Sequence, residues 1–265
     1  MVDPDRRNNR NWLFVSMALI FAALIAGTYF GSKAFLCLGL VDYVWNGWHF
    51  ASQHSGVLRI YTRKCGGGSE WLERWGLRFF LFYVILRTSS TILWSLESNA
   101  LANNVASALD WTVLAIPIAI EVSNLWGWSR DRLPKMIYLN SVLLLYSGYL
   151  LASYFQQPRF VLCFASAASL FHAIEYLAIV SNYANRREHI GSDGLMRKLS
   201  VHWTLILCVF ALSIGTLGVW ASAPSHGYNV IWQGVNLWAA FTHYAFDGVI
   251  WKLRRPETAK ALGAE

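Results

Sequence analysis

The chain has 265 residues, of which 55% are hydrophobic and only 14% charged, with 14 Trp, 15 Phe and 12 Tyr. Soluble domains carry about 25% charged residues, so the composition excludes an ordinary soluble enzyme, a disordered chain and a nucleic-acid binder. The formal charge of +7 signals an acidic partner only where the basic residues share one folded face, and their distribution is different. Cys37, Cys65, Cys163 and Cys208 lie far apart with no CxxC pair, which supports neither a zinc ribbon nor a disulfide framework.

A spanning helix needs about 20 predominantly apolar residues. Eight stretches qualify: 12–31, 36–58, 77–96, 105–127, 135–155, 160–183, 200–221 and 229–251. The first follows Arg6, Arg7 and Arg10; it is longer than a signal-peptide core, lacks a small-x-small cleavage site and reads as a retained span. The second carries Asp42, Trp45, Trp48, His49, Gln53 and His54. A polar loop over 62–74 follows, which Gly66, Gly67 and Gly68 make flexible; this GGGS run lacks the strand and the Lys-Thr of a phosphate loop and reads as a loop tip. The third span holds Arg87, the fourth Asp110, Pro117 and Glu121, and the sixth His172 and Glu175. After the polar segment 185–199 come the seventh span and then the eighth, which holds His243 and Asp247. His189, His202 and His226 fall in loops or at helix ends.

Lys and Arg gather on the cytoplasmic side of short loops. All but Lys33, Arg87 and Arg159 fall in the amino terminus, the tail, and the connections after the second, fourth and sixth spans. That alternation supports the eight-span count, places both termini in the cytoplasm, and makes the positive charge mostly a topology signal. The fold class is therefore all-α: residues 1–265 form a single integral membrane domain, a polytopic helix bundle, with a bacterial inner membrane as the expected location.

Ionisable side chains inside spans cost about 3 kcal/mol or more and mark functional sites. Counted back from the first cytoplasmic Lys or Arg at about 1.5 Å per residue, His49, Glu121, Glu175 and His243 lie at one depth, about 14 to 17 Å inside. Arg87, nine residues past Arg78, reaches the same layer, where it neutralises a carboxylate, holds an acidic substrate group or pairs with Glu121. His172 and Glu175 share a helix face, as do His243 and Asp247; His54 is about 140° around the helix from His49. Asp110 reads as a residue near the outer surface. Imidazole with carboxylate suits iron, manganese or zinc, so His49, His54, His172, Glu175, His243 and Asp247 are the candidate ligands of a divalent metal, most readily iron. Glu121 and Arg87 are the candidate catalytic groups.

The segment His243-Tyr-Ala-Phe-Asp247-Gly-Val-Ile-Trp-Lys-Leu-Arg254 resembles a carboxy-terminal signature, His-x-x-x-Asp-Gly before Ile-Trp-Lys or Ile-Trp-Arg, of uncharacterised bacterial multi-pass membrane proteins. More distantly, intramembrane histidines spread over several helices are similar to the Brp/Blh-type carotenoid-cleaving dioxygenases. That resemblance implies non-haem iron held by His49, His172 and His243, and an apolar polyene substrate. The local sequence Trp48-His49-Phe50-Ala51-Ser52-Gln53-His54 departs from that family's His-Gly-x-x-Asp and His-Phe-Gly-x-x-Asp elements. The HxxxH and HxxHH boxes of membrane desaturases are absent.

The leading expectation is a metal-dependent membrane oxidoreductase acting on an apolar lipid, isoprenoid or carotenoid. The alternatives are a proton- or ion-coupled transporter, which uses membrane acids and histidines as a relay, and a haem or quinone electron carrier.

Overall fold

The computed structural model describes residues 11–12, 15–24, 32–92, 100–186 and 229–250, with isolated positions between 202 and 216. Every described element is helical: α1 Val15–Leu24, α2 Ser32–Cys65, a π-turn Leu72–Gly76 leading into α3 Leu77–Ile92, α4 Ala100–Leu125, a single turn Arg130–Arg132 opening α5 Leu133–Tyr154, α6 Pro158–Arg186 and α7 Asn229–Ile250. The chain groups into two compact units, Met1–Trp45 with Arg187–Ala259, and Asn46–Arg186 with Lys260–Glu265, the boundary falling inside α2.

The second unit is built around α5, which packs against α3, α4 and α6. Its buried positions Met136, Leu139, Val142, Leu143, Tyr146, Tyr149, Leu150 and Ser153 recur every three or four residues, the spacing that lines one face of a helix. They meet Leu77, Phe80, Leu81 and Val84 of α3, Ile120 of α4, and Val161 and Ala168 of α6 in one core. Gly148 lets α6 come close: a Cβ there would lie 2.7 Å from Cζ of Phe164. The turn between α5 and α6 is closed by hydrogen bonds from Phe155 N–H to Leu151 O and from Gln157 N–H to Ala152 O, both 2.9 Å, with Gln156 in the left-handed region at φ 53°. Such a cap satisfies carbonyls that the helix end leaves without partners, and Pro158 then starts α6, where its missing N–H is harmless.

Three segments, Asn104–Leu125, Arg130–Tyr154 and Pro158–Val180, are long and apolar enough to cross a membrane. Their outward positions include Ile118, Ile137, Leu144, Leu162 and Leu170, all exposed. The described residues of the expected first, second, third and eighth stretches are also helical, while 200–221 lies, apart from isolated positions, outside the described residues.

The connection after α2 differs from the flexible polar loop expected over 62–74. Helix runs to Cys65 and resumes at Glu70, so only four residues are left between helices. Gly66, Gly67 and Gly68 have φ of 68°, 75° and 76°; Gly66 faces open space, whereas a Cβ on Gly67 would meet the Arg132 guanidinium and one on Gly68 would overlap the Glu73 carboxylate and the Asn124 amide. Glycine is the residue for three successive left-handed positions. A buried ion pair holds the turn down. Lys135 Nζ lies 2.6 Å from Glu73 Oε1 and donates to Gly67 O at 2.8 Å and Gly66 O at 3.3 Å, while Thr62 Oγ1 donates to Glu73 Oε2 at 2.6 Å. The wider π-turn leaves carbonyls for a neighbouring helix, and Ser55 of α2 donates to Glu73 O and Arg74 O.

The first unit holds a smaller polar contact. Tyr244 of α7 donates to Asp42 of α2 at 3.1 Å, and its ring lies against Trp45.

Candidate functional site

Within the second unit, α2, α5 and α6 bring together a largely buried cluster of polar side chains. α2 carries His49, Phe50, Gln53 and His54; the i, i+4 pair His49 and Gln53 shares a face and the fifth residue extends it around the helix. α6 carries Phe171, His172 and Glu175, the last two three apart on its inner face. Tyr138 and Tyr146 of α5 complete the wall, and both belong to the buried stripe that builds the core.

His172 is buried and its ring stacks on Phe50, centroids 3.9 Å apart and planes 14° from parallel. The His49 ring meets it edge to face at 5.2 Å, and a ring nitrogen of each lies within 4.8 Å of one on the other. Imidazole nitrogens about 2.0–2.1 Å from a shared ion stand about 3 to 4 Å apart, so the separation of these two rings is of the order that a shared ion requires. Gln53 steadies α6 at this level, donating to His172 O at 3.1 Å.

His54 takes a different role from the ligand expected of it. It is completely buried (0% exposed), and both ring nitrogens are engaged. Nδ1 lies 2.9 and 3.0 Å from the two Glu175 oxygens and 3.2 Å from the Tyr138 hydroxyl, and Nε2 lies 3.3 Å from the Tyr146 hydroxyl. One proton assignment satisfies every group: Nδ1–H donates to the carboxylate, Tyr146 O–H donates to Nε2, and Tyr138 O–H donates to His54 O at 3.2 Å. The Glu175 carboxylate also accepts from Gln53 at 3.4 Å. His54 is thus the partner that holds Glu175 in place, and the oxygens of Glu175 face His54 and Gln53.

Arg87 and Glu121 do not join one another. Arg87 Nε donates to Asp110 at 3.1 and 3.2 Å, and Tyr83 donates to the same carboxylate at 2.6 Å. Asp110 is buried, not the surface residue that its sequence position suggested. Glu121 lies one turn before the end of α4 at Leu125, so the nine-residue count to Arg130 crosses non-helical chain and does not convert to depth at the helical rise. His243 and Asp247 lie on α7, in the first unit; the side chain of Asp247 lies outside the described residues, as do His189 and His226. His202 is an exposed turn residue.

Sequence reasoning passed over Tyr138 and Tyr146 because it weighed only groups charged or metal-binding at neutral pH. A signal was present, since Tyr146 is eleven residues past Lys135, about 16 Å along α5 at 1.5 Å per residue, the depth of Glu175 below Arg186.

Among the described residues the protein is all-helical, with three helices long and apolar enough to cross a membrane and a buried His–Glu–Tyr cluster formed by α2, α5 and α6. No protein-family model matches the chain, and no curated protein and no solved structure matches it.

Proposed function

We propose that the chain is a multi-pass membrane protein of the bacterial inner membrane, with eight spans and both termini cytoplasmic. In this reading it is a metal-dependent oxidoreductase acting on an apolar lipid, isoprenoid or carotenoid. The observation that carries the reading is the adjacency of the His49 and His172 rings at a depth where an imidazole needs a strong reason to be present. His243, counted in the sequence at the depth of His49, is the third proposed ligand, and iron is the favoured metal, with manganese or zinc as the other borderline ions that imidazole accepts. Held by His49, His172 and His243, such an ion would supply Lewis acidity and redox chemistry.

The residues around it have separate tasks. Phe50 fixes the plane of His172 by stacking. The His54–Glu175 pair, flanked by Tyr138 and Tyr146, holds protons next to the imidazoles: Glu175 receives one from Nδ1, and Tyr146 offers one to Nε2. Substrate reaches the site from the bilayer, whose apolar interior dissolves it.

The same chain of buried proton-holding groups favours a second reading, proton-coupled transport. Elemental analysis of the purified protein separates the two. The oxidoreductase reading expects about one or two iron, manganese or zinc ions per chain, lost in His49→Ala, His172→Ala or His243→Ala. A folded wild-type protein free of metal, or one with the Soret band of bound haem, overturns it.

A further inference from the structure

Within the span segments the other acids whose side chains are described have partners: Asp42 has Tyr244, Asp110 has Arg87 and Tyr83, and Glu175 has His54 and Gln53. Glu121 differs. Its Oε1 is buried and has no hydrogen-bond partner. The buried stripe of α4 runs through Pro117, Ile120 and Asn124, and Ile118, Val122 and Leu125 point outward, so Glu121, only partly exposed, stands at the edge between the packed side and the apolar outer side. α4 packs against α3, the π-turn and α5, whose charged groups have other engagements. Glu73 and Lys135 pair with each other, Arg74 and Arg78 lie over Trp75, with Arg78 also over Trp48 although its Nε has no hydrogen-bond partner, and Arg87 holds Asp110.

An ionised carboxylate without a donor is strongly disfavoured in apolar surroundings, whereas the neutral acid is tolerated. We infer that Glu121 is a bilayer-facing carboxylic acid whose ligand is a proton, and that it is the site at which apolar carbodiimides modify this chain. The chemistry needs the neutral acid. Its oxygen bonds to the central carbon of the carbodiimide while its proton passes to one nitrogen, giving an O-acylisourea. The acyl group then shifts from oxygen to the neighbouring nitrogen, leaving a stable N-acylurea with no leaving group, so the peptide gains the full mass of the reagent. The inference depends on α4 lying in the bilayer and is independent of any metal.

The test uses the full chain in phosphatidylcholine vesicles, treated with dicyclohexylcarbodiimide and mapped by peptide mass spectrometry. In parallel it is treated with a water-soluble carbodiimide plus glycine ethyl ester. The apolar reagent is expected to modify the peptide that contains Glu121 and not the one that contains Glu175, and to lose that adduct in Glu121→Gln. The soluble reagent is expected to modify the exposed Glu70 and Asp131 at least tenfold more than Glu121. Three results would each overturn the inference: no apolar adduct at Glu121, the adduct on Glu175 instead, or soluble-reagent labelling of Glu121 equal to that of Glu70. Mapping wild-type protein decides the matter even if Glu121→Gln does not fold, and metal content measured on the same sample reports separately on the oxidoreductase reading.

Discussion

Replacing Lys135 with Met tests whether the short turn after α2 is held by a buried charge pair. Lys135 and Glu73 are both 0% exposed and meet at 2.6 Å. Methionine keeps most of the aliphatic length and removes the charge, leaving the carboxylate with Thr62 alone among its side-chain donors. Removing one member of a buried pair costs about 3–5 kcal/mol. Equilibrium unfolding in mixed micelles at pH 7 measures the loss. Lys135→Met with Glu73→Leu removes both charges, and the pair of changes is expected to cost less than the sum of the single ones. A loss below about 1 kcal/mol or strict additivity refutes the reasoning.

Gly68→Ala places a Cβ against Glu73 and Asn124 at a φ of 76° and is expected to cost at least about 2 kcal/mol in the same unfolding assay, whereas Gly39→Ala, with nothing within 4 Å, stabilises its helix by about 0.5–1 kcal/mol. Tyr146→Phe removes the hydroxyl that meets His54 Nε2 and lowers stability by about 1 kcal/mol with metal content unchanged; loss of metal would show that Tyr146 reaches the ion. Arg87→Met strands Asp110 and costs about 3 kcal/mol, most of which Asp110→Asn restores in the double variant, again without loss of metal. An Arg87→Met protein as stable as wild type would show that the pair is solvated and carries little.

Much of the helix layout is legible because apolar runs and helix-capping residues are local. The stretches 105–127, 135–155 and 160–183 match α4, α5 and α6 within a few residues apart from the longer amino-terminal end of α4. The turn after α2 was misread because Gly-rich, polar sequence is a loop signal whether the loop is free or packed, and what packs it, Lys135, lies about seventy residues away. Lys135 illustrates the same limit from the other side. Counted as a cytoplasmic charge it supports the topology, yet nothing local shows that a glutamate and two glycine carbonyls bury it completely.

α2 is continuous from His49 through Arg59, and α6 from His172 through Arg186, so a rise of about 1.5 Å per residue converts sequence distance into distance along each axis. The side chains that meet are nevertheless offset: His49 and His172 stand ten and fourteen residues from those arginines, and His54 and Glu175 five and eleven, so a count from the basic flank does not fix the register between the two helices. On α4 the helix stops at Leu125, before the reference Arg130, so the count does not convert to a depth for Glu121. Pairing is harder still to foresee, since Arg87 had two carboxylates on the next helix and took Asp110. That choice follows from helix direction. α3 and α4 are neighbours joined by a short connection, so they run antiparallel, and residues near that connection lie side by side. Arg87 is 23 residues from Asp110 and 34 from Glu121, and in a hairpin the nearer of two equivalent partners is the one at the same level. On α3 and α4 the charges therefore pair by distance from the connection that joins the two helices.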